Sequence, residues 1–204
     1  MCSSDLVTYK MPKPLANRMI HVDVEADVDT WSAWAVTTGV RQELVAFLRL
    51  RPDLLSTFEE HVKKRMEGEA FATPRSWSMV ADLLPVQMPD HILSALVAGC
   101  VGAGPAVEFL AYRQVWRDMP DIDGILADPE HAPVPEEAGT LFAVATALAD
   151  RMTNPDHLAP VLTYIDRLPP EFAVLVAKDA TRRSQDIIKS ELFGDWTRRN
   201  ADLF

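Results

Sequence analysis

Cysteine is scarce in this sequence: only Cys2 and Cys100 occur among 204 residues. Two cysteines with no Cys-x-x-Cys pair exclude a disulfide framework, a zinc ribbon and a dithiol redox motif, and Cys100 is expected to act as a small buried hydrophobe. Basic residues are also in deficit. Lys and Arg number 20 against 30 Asp and Glu, a net charge of −10 at pH 7. Non-specific nucleic-acid binding needs an excess of cations to displace phosphate counterions, so nucleic acid is not an expected partner. Long hydrophobic runs are missing as well. Ile92–Val101 and Leu141–Ala149 fall well short of the roughly 20 residues that cross a bilayer. No basic stretch followed by an apolar core stands at the N-terminus, so the expectation is a cytoplasmic chain without membrane contact. Finally, the dipeptide Gly-Lys occurs nowhere, and without it no P-loop can cradle phosphates.

What the chain does contain is the composition of a packed globular protein, 48% hydrophobic and 25% charged. One segment reads as a strand: in Met19–Glu25, Ile20, Val22 and Val24 alternate with His21, Asp23 and Glu25 at period two. It has no good partner elsewhere, and a lone strand cannot satisfy its own backbone groups. From residue 27 the period becomes helical. Trp31, Trp34 and Ala35 follow the capping candidates Asp27 and Asp29, and Gly39 closes that helix. Leu44, Val45, Phe47 and Leu48 form the next stripe, stopped by Pro52, and His61–Glu69 reads as a charged connector. Thr73 and Pro74 mark a helix start ahead of Trp77, Val80, Ala81 and Leu84. Residues 89 to 204 read as a second helical layer, with starts at Pro89-Asp90, Gly104-Pro105, Pro135-Glu136, Pro155-Asp156 and Pro169-Pro170-Glu171. Its clearest stripe is Leu158, Val161, Leu162, Ile165 and Leu168. Phe172–Ala177 fits either a buried strand or a helix, and the Pro-Pro-Glu start favours the helix.

Most candidate sites fail on spacing. Gly99, Gly102 and Gly104 follow a helical pattern rather than a strand and read as a turn between helices. Asp121, Asp123, Gly124 and Glu130 match four places of a calcium loop, but Met119 occupies the first place, so an acidic solvated loop is expected. The histidines at 21, 61, 91, 131 and 157 have no partner at ligand spacing, and no metal site is assigned. Arg75 stands apart because a cation in the first turn of a helix faces the positive end of the macrodipole. A bound phosphate there removes the conflict; an ordinary exposed arginine is the alternative. Arg18, in Pro14-Leu-Ala-Asn-Arg18, reads by itself as a surface arginine in a salt bridge.

Taken together, Met11-Pro-Lys-Pro-Leu-Ala-Asn-Arg18, a strand, a helical region and Ala72-Thr-Pro-Arg75-Ser-Trp77 at a helix start resemble the end of the ATPase core and the lid of MoxR-like AAA+ ATPases, in particular a bacterial and phage subgroup. The specific motifs cover residues 11–25 and 71–84. The resemblance implies a mainly α chain: a core remnant over 1–25 whose orphan strand comes from a truncated α/β core, a helical lid over 26–84, and a helical extension over 85–204. It implies that Arg18 is the catalytic arginine finger reaching a neighbouring subunit's ATP, and that Arg75 is the sensor 2 residue binding ATP of its own subunit. A guanidinium suits both roles because it makes paired, charge-assisted hydrogen bonds to phosphate. The cofactors implied are ATP and Mg2+, the Mg2+ ligands lying outside this chain. The partners implied are neighbouring copies in a homo-oligomeric ring and a protein substrate that the ring remodels.

The Walker A loop, the Walker B acids and the sensor 1 strand of that family are missing, so the expectation is a C-terminal part without ATPase activity by itself. Cys2-Ser-Ser-Asp-Leu6 can be back-translated to TGCTCTTCCGATCT plus one base, a sequencing-adapter sequence, which makes Met1–Leu6 an expected artefact of the reading frame. The alternative from a different class is a stand-alone helical interaction module. Its candidate surface is Asp118–Glu137, with seven acidic residues and no Lys or Arg.

Overall fold

Caps and prolines written into the sequence set most helix ends. A computed structural model of the chain describes residues 11–22, 24–64 and 69–203. Among them are twelve α-helices and no strand: α1 Lys13–Ala16, α2 Val28–Thr38, α3 Gln42–Leu50, α4 Phe58–Lys64, α5 Pro74–Leu83, α6 Asp90–Val101, α7 Ala103–Arg117, α8 Ile122–Ala127, α9 Ala138–Arg151, α10 Pro155–Ile165, α11 Pro170–Arg183 and α12 Glu191–Arg199. Asp27 caps α2 by accepting from the Thr30 N–H at 2.7 Å, and Gly39 closes it at φ 76°, a left-handed conformation that favours glycine. Residues 172–177 are helical, within α11. All five residues of the stripe from Leu158 to Leu168 are buried.

Two expectations are corrected and a third is narrowed. The strand over Met19–Glu25 is not formed: its described residues are irregular, and Ile20, Val22 and Val24 are 91%, 72% and 89% exposed. No described residue accepts or donates a backbone hydrogen bond along Ile20–Val22 or at Val24, so the alternation has nothing to pair with. The connector His61–Glu69 begins as helix, its first four residues completing α4; residues 65–68 lie outside the described residues. An acidic first turn, a Glu59–Lys63 pair at 3.3 Å and ring contacts from Phe58 and His61 to Phe71 support that helix. The turn at Gly99–Gly104 narrows to one residue, Gly102, at φ 89°; a Cβ there would stand 2.7 Å from the Ala70 carbonyl oxygen.

Two apolar clusters fill the chain, and they do not divide at residue 85. Leu93, Val97, Val101, Phe109 and Tyr112 of α6 and α7 belong with Trp31, Phe47 and Trp77, while the second cluster runs from Ile122 to Trp196. Phe47, Trp77 and Phe109 meet at ring-centroid distances of 5.3 to 5.7 Å, and the buried Trp77 Nε1 donates to the Leu54 carbonyl at 2.8 Å. The clusters join where α3 packs on α9, whose other side packs on α11. Both central helices are enclosed: every residue of α3 from Glu43 to Arg49 is buried, as is every residue of α9 from Ala143 to Ala149. The alanines of α9 let neighbouring helices approach closely. Arg49 on α3 and Asp179 on α11 close the seam with a two-pronged ion pair at 2.5 and 2.8 Å, Asp179 having no exposed surface.

Candidate functional site

The segment that carries Arg75 is held firmly. Thr73 Oγ1 accepts from the Ser76 N–H at 3.1 Å while the Thr73 N–H donates to Ser76 Oγ at 2.8 Å, a reciprocal capping box. Pro74 supplies the first helical residue, and Trp77 anchors the first turn in the core. The Arg75 side chain is exposed and makes no hydrogen bond or ion pair with any described residue. The cap also consumes most of the helix end: Pro74 has no N–H, Thr73 and Ser76 are engaged, and only the Arg75 N–H remains free. Capacity to hold an anion at this end therefore resides in the guanidinium more than in the backbone. Beside it lies a shallow cleft of about 620 Å³ lined by Phe71, Met79, Gly99 and Cys100 among others. Cys100 is half-buried at the edge of this cleft rather than in the core, and burial pushes its thiol pKa up, so it stays protonated and unreactive near neutral pH.

Arg18 follows α1, where Asn17 is the C-cap and the Arg18 N–H donates to the Leu15 carbonyl at 3.0 Å. The side chain is exposed, and the surface salt bridge expected of it is not formed with any described residue. No described residue of the N-terminal segment lines the cleft next to Arg75. Both arginines are exposed and form no ion pair with a described residue, and Arg18 does not line the cleft beside Arg75.

The structure gathers a second polar site that no motif announced. Gly39, Arg41 and Glu43 from the α2–α3 turn meet Trp116, Asp150 and Arg183 around a cleft of about 400 Å³. Glu43 is buried between Arg41 Nε at 3.1 Å and Arg113 Nε at 3.3 Å; Arg183 Nη1 reaches Asp150 at 3.1 Å. Nε and Nη2 of Arg183 are sealed from solvent with no partner among the described residues. Three arginines here face two carboxylates, Arg41 and Asp150 remain about half exposed, and the ion pairs tie the start of α3 to α7 and tie α9 to α11. Its members lie up to 144 residues apart, and only the fold brings them together.

All seven acidic side chains of Asp118–Glu137 are exposed. Asp121 caps α8 by accepting from the Asp123 N–H at 3.1 Å, and Asp123 pairs with Arg151 at 2.8 Å. The rest of the segment is pinned by Tyr164 Oη on the Pro133 carbonyl and by Arg167 on the Pro129 carbonyl. Asp121 caps α8, Asp123 and Gly124 lie inside it and Glu130 lies beyond it, so the four residues that match a calcium loop are divided between a capped helix and the loop after it. Among the described residues no three His, Cys, Asp or Glu side chains converge as metal ligands. No helix among the described residues is long and apolar enough to cross a membrane. Comparison of the chain with protein-family models, with curated proteins and with solved structures finds no match.

Proposed function

We propose that this chain supplies the arginine-finger segment, the lid and the helical extension of a MoxR-like AAA+ ATPase, working in a ring of like subunits that remodels a partner protein. The observation that carries the proposal is Arg75: a capped first helical turn presents an exposed guanidinium with no counter-ion among the described residues, next to an open cleft. In this reading Arg75 grips phosphate oxygens of its own subunit's nucleotide through two parallel N–H···O bonds, and its position couples nucleotide contact to the seating of α5. Arg18, exposed and without a counter-ion among the described residues, reaches across the subunit boundary and stabilises negative charge that develops during phosphoryl transfer. The guanidinium chemistry of Arg18 and Arg75 supports phosphate contact at these two places. The described residues offer no ligand set for Mg2+, which is assigned to the upstream core together with water activation.

The 204-residue chain alone should not hydrolyse ATP, and joining it to a core with a P-loop and paired acids should create activity. In the joined protein Arg18→Ala should lower turnover by about three orders of magnitude while nucleotide affinity stays near normal, and it should poison wild-type neighbours when mixed with them. Arg75→Ala should instead weaken nucleotide binding in its own subunit. Normal affinity and turnover in both variants, measured by nucleotide titration and steady-state assay, would overturn the reading. The acidic, exposed side chains of Asp118–Glu137 favour a second reading, a helical module that docks a basic protein segment; a genuine start codon just upstream of residue 7 would support it.

A further inference from the structure

The cleft where the α2–α3 turn meets α7, α9 and α11 is rich in donors and short of acceptors. Glu43 engages Arg41 through one carboxylate oxygen and Arg113 through the other, and Asp150 accepts from Arg183. Three guanidinium groups thus share two carboxylates, a net positive charge within a chain of net charge −10. The surplus is not spread over open surface. The side chains of Arg113 and Arg183 are only 14% and 13% exposed, and the buried Nε and Nη2 of Arg183 find no acceptor among the described residues. A guanidinium withdrawn from water and incompletely paired is unfavourable, and its field reaches further than that of a solvated cation because little water screens it. That field meets a cleft of about 400 Å³, where the half-exposed Arg41 keeps Nη1 and Nη2 without a partner among the described residues. Gln42 and Glu43, the first residues of α3, line the same cleft; this helix end has no side-chain cap, and their N–H groups donate to no described acceptor.

We propose that this cleft binds a small oxyanion, a phosphate or a carboxylate, against Arg41 and the start of α3. The planar fork of a guanidinium matches the oxygens of either anion, and Arg41 has two nitrogens left to offer. The sealed edge of Arg183 makes no contact with the ligand. Its part is electrostatic, a positive charge held in the wall of the cleft, and the amino end of α3 adds to it with the same sign. Asp150 is the exposed carboxylate that opposes an anion here, and its pairing with Arg183 offsets it. The net charge of −10 acts weakly at this place, because charges more than about 10 Å away are screened at 0.1 M salt. The cleft shares no lining residue with the one beside Arg75, so this site stands apart from the nucleotide reading.

Nuclear magnetic resonance titration of the labelled 204-residue chain, with inorganic phosphate and separately with acetate at an ionic strength held constant by sodium chloride, tests the proposal. Saturable shifts are expected in the amides of Gln42 and Glu43 and in the Trp116 indole, all with one dissociation constant. Tighter binding of phosphate assigns the site to phosphates, and tighter binding of acetate assigns it to carboxylates. Arg41→Gln should weaken binding about tenfold while the far-ultraviolet circular dichroism stays helical, and Arg41→Lys, which keeps the charge and loses the fork, should fall between that variant and wild type. Arg199→Gln, at an exposed arginine of α12, should leave the affinity unchanged. Shifts that never saturate, that chloride alone reproduces, or that persist unweakened in Arg41→Gln would overturn the proposal. Saturable phosphate shifts confined to Thr73–Trp77 would overturn it too, while supporting phosphate contact at Arg75.

Discussion

Helix α3 and the segment Met19–Val24 are both short and both rich in branched aliphatic residues, and they end in opposite states. In α3, Leu44, Val45 and Leu48 are fully buried among α2, α7 and α9; in the N-terminal segment Ile20, Val22 and Val24 stand almost wholly in solvent. Apolar content does not separate them. A helix satisfies its backbone internally and needs only neighbouring side chains to complete its burial, whereas a strand needs a second strand at hydrogen-bonding distance before its side chains can be enclosed. Arginine divides the same way: Arg49, on α3, is sealed against Asp179, and Arg18, in the N-terminal segment, meets no carboxylate among the described residues.

Removing the partner that makes α3 what it is should have the largest effect. Asp179→Ala leaves the Arg49 guanidinium buried without a counter-charge and should cost about 3–5 kcal/mol in urea unfolding. The paired replacement Arg49→Met with Asp179→Leu should recover most of that loss, and failure to recover would mean that the ion pair itself, not merely its completeness, holds the seam. Next comes the cap of α5. Thr73→Ala removes one half of the capping box and should lower stability by about 1 kcal/mol by the same measurement. Substituting Ile20 and Val24 together by Ser should change stability by less than about 0.5 kcal/mol, and the amides of Ile20, His21, Val22 and Val24 should exchange at nearly free rates; protection there would show that the segment has a partner after all.

The smallest effect belongs to the exposed pair Asp128 and His131, 2.8 Å apart. The hydrogen bond to Asp128 raises the His131 pKa above its usual value, and the same bond holds the Asp128 carboxyl below the usual carboxylate range. A raised histidine contributes stability below its unfolded pKa and loses it as pH rises through the folded one. A lowered carboxyl contributes above its unfolded pKa and loses it as pH falls through the folded one. The pair therefore acts in mildly acidic solution, and nuclear magnetic resonance titration should place the His131 midpoint higher in wild type than in Asp128→Asn.

Local signals made the helices readable. Asp27, Thr73-Pro74 and Pro169-Pro170 mark starts because a capping oxygen or a proline ring acts on the next three or four residues and needs nothing distant. Arg75 was legible for the same reason, since its place in a first turn follows from the two residues before it. The placement of α6 and α7 was not: nothing local tells Leu93 or Phe109 to pack with Phe47 and Trp77 rather than with residues that follow them. The junction of Glu43, Asp150 and Arg183 was equally hidden, because three charged residues far apart in the chain carry no spacing to recognise.

By itself, then, the sequence determined that this protein is mainly helical, where its helices begin and which of their faces are apolar, because caps, prolines and side-chain period act within a few residues. Tertiary structure decided which of those faces are covered. It seated α3 between the clusters, joined Arg49 to Asp179 across 130 positions, and left Ile20, Val22, Val24 and one face of α6 in solvent. Burial of a face and pairing of a strand both depend on a surface contributed from elsewhere, and only the folded chain shows whether that surface is present.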